Sequence, residues 1–442
     1  MMCPYCGTDF KIEQTITENN QEIINGILNC ACSHFPILKG ILILNEELLN
    51  ENIIRLIKDK EIEKATTICL WNDHFERIKV ERTSSLTLPF PKQITNRLQY
   101  LLSVLAEETA NKKFQKLYKK YSDNDLSFCD LIENNLFGKY LKYRFSSDSF
   151  WSLYPFLSLI KEKNSKILDL SCGTGHFSFV LSQYVGPSEL CCADKYFSLL
   201  YLARKYFAPN AEFVCLDFNN TLPFKNNAFS SILMADALML VHSRFSLIHE
   251  IERLLMQDGF SLFLHVHNSL GKNLEPVGSY GKGMTPKQWR MLFETTKLNL
   301  KILSEKQVLD NYLSQNILLL QDETNDGELN SSNALIILAT IDSEIFRKYD
   351  NAKRILLSAR KNLIINPIYK IRQENNILNL SRPSLTVDNV GDFYPIAEKY
   401  LPKEIQLQKD IFDNDSTINT NKDSIEELIR SFVIINTPSK YI

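Results

Sequence analysis

The sequence predicts an α/β protein: a Rossmann-like sheet flanked by helices, preceded by a cysteine-bearing unit and a helical cover and followed by a C-terminal extension. Three observations carry this expectation. Between residues 160 and 340, short apolar runs alternate with helical stretches, as strands joined by helical crossovers do. Gly173 and Gly175 form a tight turn just after one of those runs, in a chain where glycine is scarce, 14 of 442 residues against a usual share of roughly 7%. Four of the ten cysteines, Cys3, Cys6, Cys30 and Cys32, crowd the N-terminal stretch.

Composition sets the outer limits. With 44% apolar and 23% charged residues the chain can bury a large core, which argues against disorder and against a disulfide miniprotein. A formal net charge of −2 is not that of a strongly basic nucleic-acid binder. No window approaches the roughly 18 to 20 apolar residues of a membrane span, and the N-terminus lacks the apolar core of a signal peptide. The expectation is a soluble cytoplasmic protein with no membrane partner and reduced thiols.

Residues 1–48 read as short strands around two cysteine turns. Cys3-x-x-Cys6 and Cys30-x-Cys32 can supply four thiolates to a tetrahedral zinc, which in so small a unit substitutes for missing core. Residues 49–159 read as a mainly helical cover, with Leu98, Leu101, Leu102 and Leu105, then Phe114, Leu117, Tyr118 and Tyr121, at three- and four-residue spacing. In the central segment, strands are expected at 166–170, 189–193, 212–215, 230–234, 259–265, 301–304 and 334–340, and helices at 177–184, 199–207, 246–256 and 286–297. Thr285 before Pro286 secures the last helix start. The two final extended segments fit a seven-stranded sheet closed by an antiparallel last strand. Polar segments 322–333 and 413–423 read as loops, and residues 341–442 as an extension of unassigned fold.

The chemistry-bearing motif is Ile167-Leu168-Asp169-Leu170-Ser171-Cys172-Gly173-Thr174-Gly175-His176-Phe177-Ser178, a strand entering a glycine turn and then a helix. That arrangement brings bare backbone N–H groups to a ligand at the carboxyl edge of a sheet, and a nucleotide-like cofactor is implied. Asp194 ends the second strand, where a carboxylate can accept bonds from ribose hydroxyls. Asp217 and Phe218 follow the third, placed for an adenine amino group and ring. Ser178 stands where a dinucleotide fingerprint wants Gly or Ala.

Through residues 167–178, Asp194, Asp217 with Leu222-Pro223-Phe224, and residues 253–259, the chain resembles the class I S-adenosylmethionine-dependent methyltransferases over roughly residues 160–340. The resemblance implies a seven-stranded methyltransferase sheet and S-adenosylmethionine as cofactor. Asp169 would then support its amino group, Gly173 and Gly175 admit its methionine part, with Ser171 and Cys172 in the same turn, Asp194 hold the ribose with Lys195 beside it, and Asp217 and Phe218 contact adenine. Ser171 departs from the glycine of the family motif. Residues 30–41 are similar to the small zinc-ribbon family that activates RNA and protein methyltransferases, except that the second cysteine pair is spaced by one residue, so His34 is a rival ligand.

Methyl transfer asks mainly for alignment of the nucleophile. Candidates for proton handling are Asp236 and His242 after the fourth strand, and His265 and His267 after the fifth. His265 and His267 share a face as metal ligands would, though one packed in the core and one lining a cleft is the expectation. The aromatic-rich stretch 140–151 and the loop spanning Gly271, Gly278, Gly281 and Gly283 would border the acceptor. They suggest a bulky apolar or aromatic small molecule, or a peptide, as acceptor. RNA is the alternative, with Lys112, Lys113, Lys116, Lys119 and Lys120 as its basic patch, and a non-catalytic binding module is the third reading.

Overall fold

The computed structural model describes residues 1–20, 22–49, 51–71, 116, 118–132, 136–163, 166–271, 283–320, 325–353, 362–409 and 422–442. The expected leucine repeat at 98–105, Phe114, Leu117, Lys112, Lys113, Gly278 and Gly281 lie outside these residues.

The central segment folds as strands β5 (Ile167–Leu170), β6 (Leu190–Asp194), β7 (Glu212–Cys215), β8 (Phe229–Ala235), β9 (Leu255–His267), β10 (Asn299–Ser304) and, after a short β11 (Ile317–Leu318), β12 (Ala334–Thr340). Their order in the sheet is β7-β6-β5-β8-β9-β12-β10. Strands β5 to β9 run parallel, while β12 lies antiparallel between β9 and β10, as the antiparallel closure predicts. Strands β5, β6, β8 and β12 are buried along their whole length, because helices cover both faces, and this is why they read as continuous apolar runs.

Element limits differ from expectation where tertiary pairing intervenes. The helix expected through 256 ends at Leu254, and β9 begins at once, since Leu255 pairs with Phe229 before a register shift. The helix after β6, Phe197–Leu202, passes into a π-turn at Ala203–Phe207. Within the expected loop 322–333, Asn325 caps a short helix, Asp326–Ser331.

The sheet is wider than seven strands. The N-terminal unit contributes β1 (Lys11–Asn19), β2 (Glu22–Asn29), β3 (His34–Leu38) and β4 (Ile41–Ile43), joined as antiparallel neighbours. Strand β4 then pairs in parallel with β7, Ile41 against Phe213 and Ile43 against Cys215. An eleven-stranded sheet results. The sequence reading of residues 1–48 as short strands around two cysteine turns does not reach this pairing, because residue patterning does not show which distant strand covers an open edge. Pairing there removes the row of free N–H and C=O groups that β7 would otherwise present.

The C-terminal extension packs back on the helices before the sheet. Ile434–Asn436 pairs with Leu363–Ile365, and Tyr441, buried, stacks on Phe128 with ring centroids 5.6 Å apart. Asp148, buried at the head of the helix Asp148–Trp151, accepts the N–H groups of Ile396 and Ala397 at 3.0 and 2.8 Å. Those are the unsatisfied first-turn donors of the helix Pro395–Tyr400. Among the described residues, no helix is long and apolar enough to cross a membrane.

Candidate functional site

At the carboxyl end of β5 the backbone turns sharply. Ser171, Gly173 and Gly175 all take left-handed conformations, with φ of +67°, +57° and +91°. Ser171 adopts what a glycine would adopt freely, at a cost of roughly 1–2 kcal/mol, and the N–H groups of Ser171 and Cys172 donate to the Ala193 carbonyl at 2.7 and 3.1 Å. The two glycines are required for different reasons. A Cβ on Gly175 would come within 2.9 Å of the Ala203 Cβ, whereas one on Gly173 meets nothing within 4 Å. Open space in front of Gly173 is the cradle in which a ligand can lie against bare backbone.

The carboxylates around this turn are held from behind. Asp169 is buried and accepts the Ser178 hydroxyl at 2.5 Å. Burial raises its carboxyl to about 7, with the Ser178 bond pulling it down and the Asp194 charge adding to the rise. Asp194, also buried, accepts the N–H of Gly173 at 2.9 Å and that of Tyr196 at 3.0 Å. Two buried carboxylates beside the open turn suit a ligand that brings positive charge and hydroxyls.

Farther along the same edge, Asp217 accepts the backbone and side-chain N–H groups of Asn219 at 2.9 and 2.7 Å and pairs with Lys195 at 3.2 Å. Burial opposes its ionisation, but the Asn219 and Lys195 contacts outweigh it and hold the carboxyl below its ordinary value. Lys195 also reaches Glu47, and its carbonyl accepts Asn45 Nδ2, so the segment after β4 borders this side. Phe218 is half-buried against the apolar cluster beneath.

A second group of side chains sits at the ends of β8 and β9. Asp236 (φ +55°) and His265 (φ +51°) are both in the left-handed region, and His265 lies at a register shift of β9 against β12, the kind of bulge that re-aims a side chain. Asp236 Oδ2 accepts Tyr140 Oη at 2.9 Å and lies 3.4 Å from Arg144, while Oδ1 faces His267 Nε2 at 3.7 Å. His265 Nδ1 bonds Glu305 at 2.8 Å. Burial disfavours the Asp236 charge, yet His265, Arg144 and His267 hold its carboxyl below the usual value. Burial pulls both imidazoles down, but Glu305, Asp236 and Asp392 lift His265 to about 10, and the charged His265 helps hold His267 at about 4.

The expectation of one core and one cleft histidine is corrected, since both side chains reach the Asp236 cluster. His242 does not; it is exposed, its backbone N–H tied to Asn219 at 3.0 Å. Sequence reasoning missed Glu305 and Asp392 altogether. It had Tyr140 and Arg144 only as members of an aromatic-rich stretch, and no signal in residues 341–442 pointed to Asp392.

The N-terminal cysteines converge. Cys3 and Cys32 Sγ are 3.7 Å apart, Cys6 and Cys30 3.7 Å, and Cys30 and Cys32 3.4 Å. A tetrahedral zinc with sulfur at about 2.3 Å sets such pairs about 3.8 Å apart, and a disulfide needs about 2.05 Å. The N–H groups of Tyr5 and Cys32 point at Cys3 and Cys30 sulfur, each at 3.4 Å. The four sulfurs come together without His34, whose Nδ1 is bonded to Glu13.

A family model described as a methyltransferase domain matches residues 167–259. Solved structures similar to this chain include the YcgJ protein from Bacillus subtilis, 18% identical over 42% of this chain and 98% of that one, TM-score 0.29. A TehB-like SAM-dependent methyltransferase from Corynebacterium glutamicum is 18% identical over 42% and 88%, TM-score 0.30. An S-adenosylmethionine dependent methyltransferase from Mesorhizobium loti is 14% identical over 42% and 97%, TM-score 0.32. No curated protein matches the chain. The residues that match the methyltransferase domain model carry strands β5 to β8 and the start of β9, within the central sheet β7-β6-β5-β8-β9-β12-β10.

Proposed function

We propose that this chain is an S-adenosylmethionine-dependent methyltransferase acting on a small molecule, with a structural zinc in its N-terminal ribbon. The observation that carries the cofactor is the open cradle at Gly173 between the buried carboxylates of Asp169 and Asp194. Asp169 would take the amino group, Asp194 the ribose, and the Asp217–Phe218 edge the adenine. The cofactor supplies an electrophilic methyl, so the protein's task is alignment and exclusion of water.

The small-molecule reading rests on the acceptor side. Strand β5 lies beside β8, so Asp236 opens on the same edge as the glycine turn. Around it Tyr140, Arg144, His267 and Asp392 come from the helical cover, the sheet and the C-terminal extension. Side chains converging from three parts of the chain suit a small acceptor better than a polynucleotide. Four thiolates at the ribbon leave no open ligand position, which makes that metal structural.

The test is incubation of the full chain with methyl-labelled cofactor and a cell extract split into small-molecule, protein and RNA fractions. Label in the small-molecule fraction is expected. Label confined to RNA, abolished by neutralising Lys116, Lys119 and Lys120, overturns the substrate class, and absence of cofactor binding overturns the whole reading.

A further inference from the structure

The Asp236 cluster has more order than proton handling requires. Asp236, His265 and His267 each bring a ligand atom to within 4.8 Å of the others. We infer that these three residues hold a divalent first-row transition-metal cation at the acceptor side of the cleft.

Two of the three ligands, Asp236 and His265, are held from behind with one coordinating atom left over. Tyr140 and Arg144 occupy Oδ2 of Asp236 and leave Oδ1 toward His267. Glu305 occupies Nδ1 of His265 and leaves Nε2, the carboxylate–histidine arrangement that fixes the orientation of metal-bound imidazoles. The gap of 3.7 Å between His267 Nε2 and Asp236 Oδ1 is too long for a hydrogen bond. It is close to the separation of about 3.4 Å that two ligand atoms take on a tetrahedral ion about 2.1 Å from each.

Charge and strain agree with this. Glu305 is 4% exposed and its Oε1 has no hydrogen-bond partner among the described residues. Asp236 and Glu305 bring two carboxyls to the cluster beside the guanidinium of Arg144. The backbone spends two left-handed conformations, at Asp236 and His265, on aiming these side chains, and such strain collects at functional sites. Gly283 allows the backbone of the neighbouring loop to lie against His267, because a Cβ there would sit 2.6 Å from its carbonyl oxygen.

Two imidazoles and one carboxylate favour Fe(II), Co(II), Ni(II) or Zn(II) over Mg(II) and Ca(II). Three protein ligands leave positions for an oxygen or nitrogen of the acceptor, whose proton would then leave more easily. That role rests on the methyltransferase reading; binding of the cation does not.

The experiment titrates Co(II) into the full chain loaded with one equivalent of zinc, which the four thiolates take, and follows the visible spectrum. One equivalent is expected to bind with d–d bands and without the thiolate charge-transfer band that cobalt in the cysteine cluster would show. His267→Ala and Asp236→Asn should each weaken it at least about tenfold, with zinc content and circular dichroism unchanged. Should a variant fail to fold, the wild-type protein decides: Co(II) must broaden the imidazole resonances of His265 and His267 before that of His242. No binding beyond the cysteine cluster, equal affinity in both folded variants, or no selective broadening overturns the inference. Cobalt binding without cofactor binding would sink the methyltransferase reading and leave the cation site standing.

Discussion

The Asp194 carboxylate accepts the backbone N–H of Gly173 at 2.9 Å, fastening the glycine turn after β5 to the end of β6. One side chain thereby shapes the turn and faces the ligand. A hydrogen bond to a charged group is worth about 1.5–3 kcal/mol, so Asp194→Ala should lower S-adenosylmethionine affinity by roughly ten- to a hundredfold. Isothermal titration calorimetry measures this, and unchanged affinity would remove Asp194 from the site.

The two glycines of the turn should separate binding from stability. Gly175→Ala drives a Cβ to 2.9 Å from the Ala203 Cβ at φ +91° and should cost about 1–3 kcal/mol of stability. Gly173→Ala points into open space at φ +57° and should cost about 1 kcal/mol while abolishing cofactor binding. Thermal melts beside binding isotherms would show the contrast, and parallel losses in both variants would contradict it.

Asp169 should give cofactor affinity a pH dependence. Its carboxyl is raised from 3.8 to about 7 by burial, so between those values the folded apoprotein keeps a proton that the unfolded chain has released. The stability this lends declines as pH rises through that window and is gone above about 7. Binding runs the other way, because a cationic amino group favours the ionised form, so affinity climbs with pH through about 7 and then levels. In Asp169→Asn this part of the climb should vanish; an unaltered profile would rule the residue out.

Removing the metal should weaken the ribbon and the edge it covers. Cys30→Ser, or prolonged chelation, is expected to release one zinc per chain and lower the melting temperature by ~5 °C or more. Elemental analysis with calorimetry tests this, and a melt insensitive to chelator would leave the four thiols without a structural metal.

Much of the fold was legible because buried parallel strands read as apolar runs and the crossover helices keep their periodicity. Ala334–Thr340 and Glu212–Cys215 fall where the pattern puts them. What escaped depends on partners far away in sequence. Leu255 belongs to a strand because Phe229 lies beside it, and Ile41 joins the main sheet because β7 has an open edge. At the site, Asp169, Asp194, Asp236 and His267 stood out by their positions at strand ends. Glu305 opens a helix and Asp392 sits in an extension of unassigned fold, and only the folded chain shows that either acts on His265.

The pairing of Ile41 with Phe213 spans 213 − 41 = 172 residues, which bears on the order of assembly. The first four strands leave the ribosome long before β7 has been made, and such distant pairing is slow to form. A metal gripping Cys3, Cys6, Cys30 and Cys32 would let that hairpin array hold its shape during the wait. The nascent ribbon then becomes a template on which the edge of the later sheet is laid, so zinc supply during translation would govern the yield of folded protein as much as its final stability.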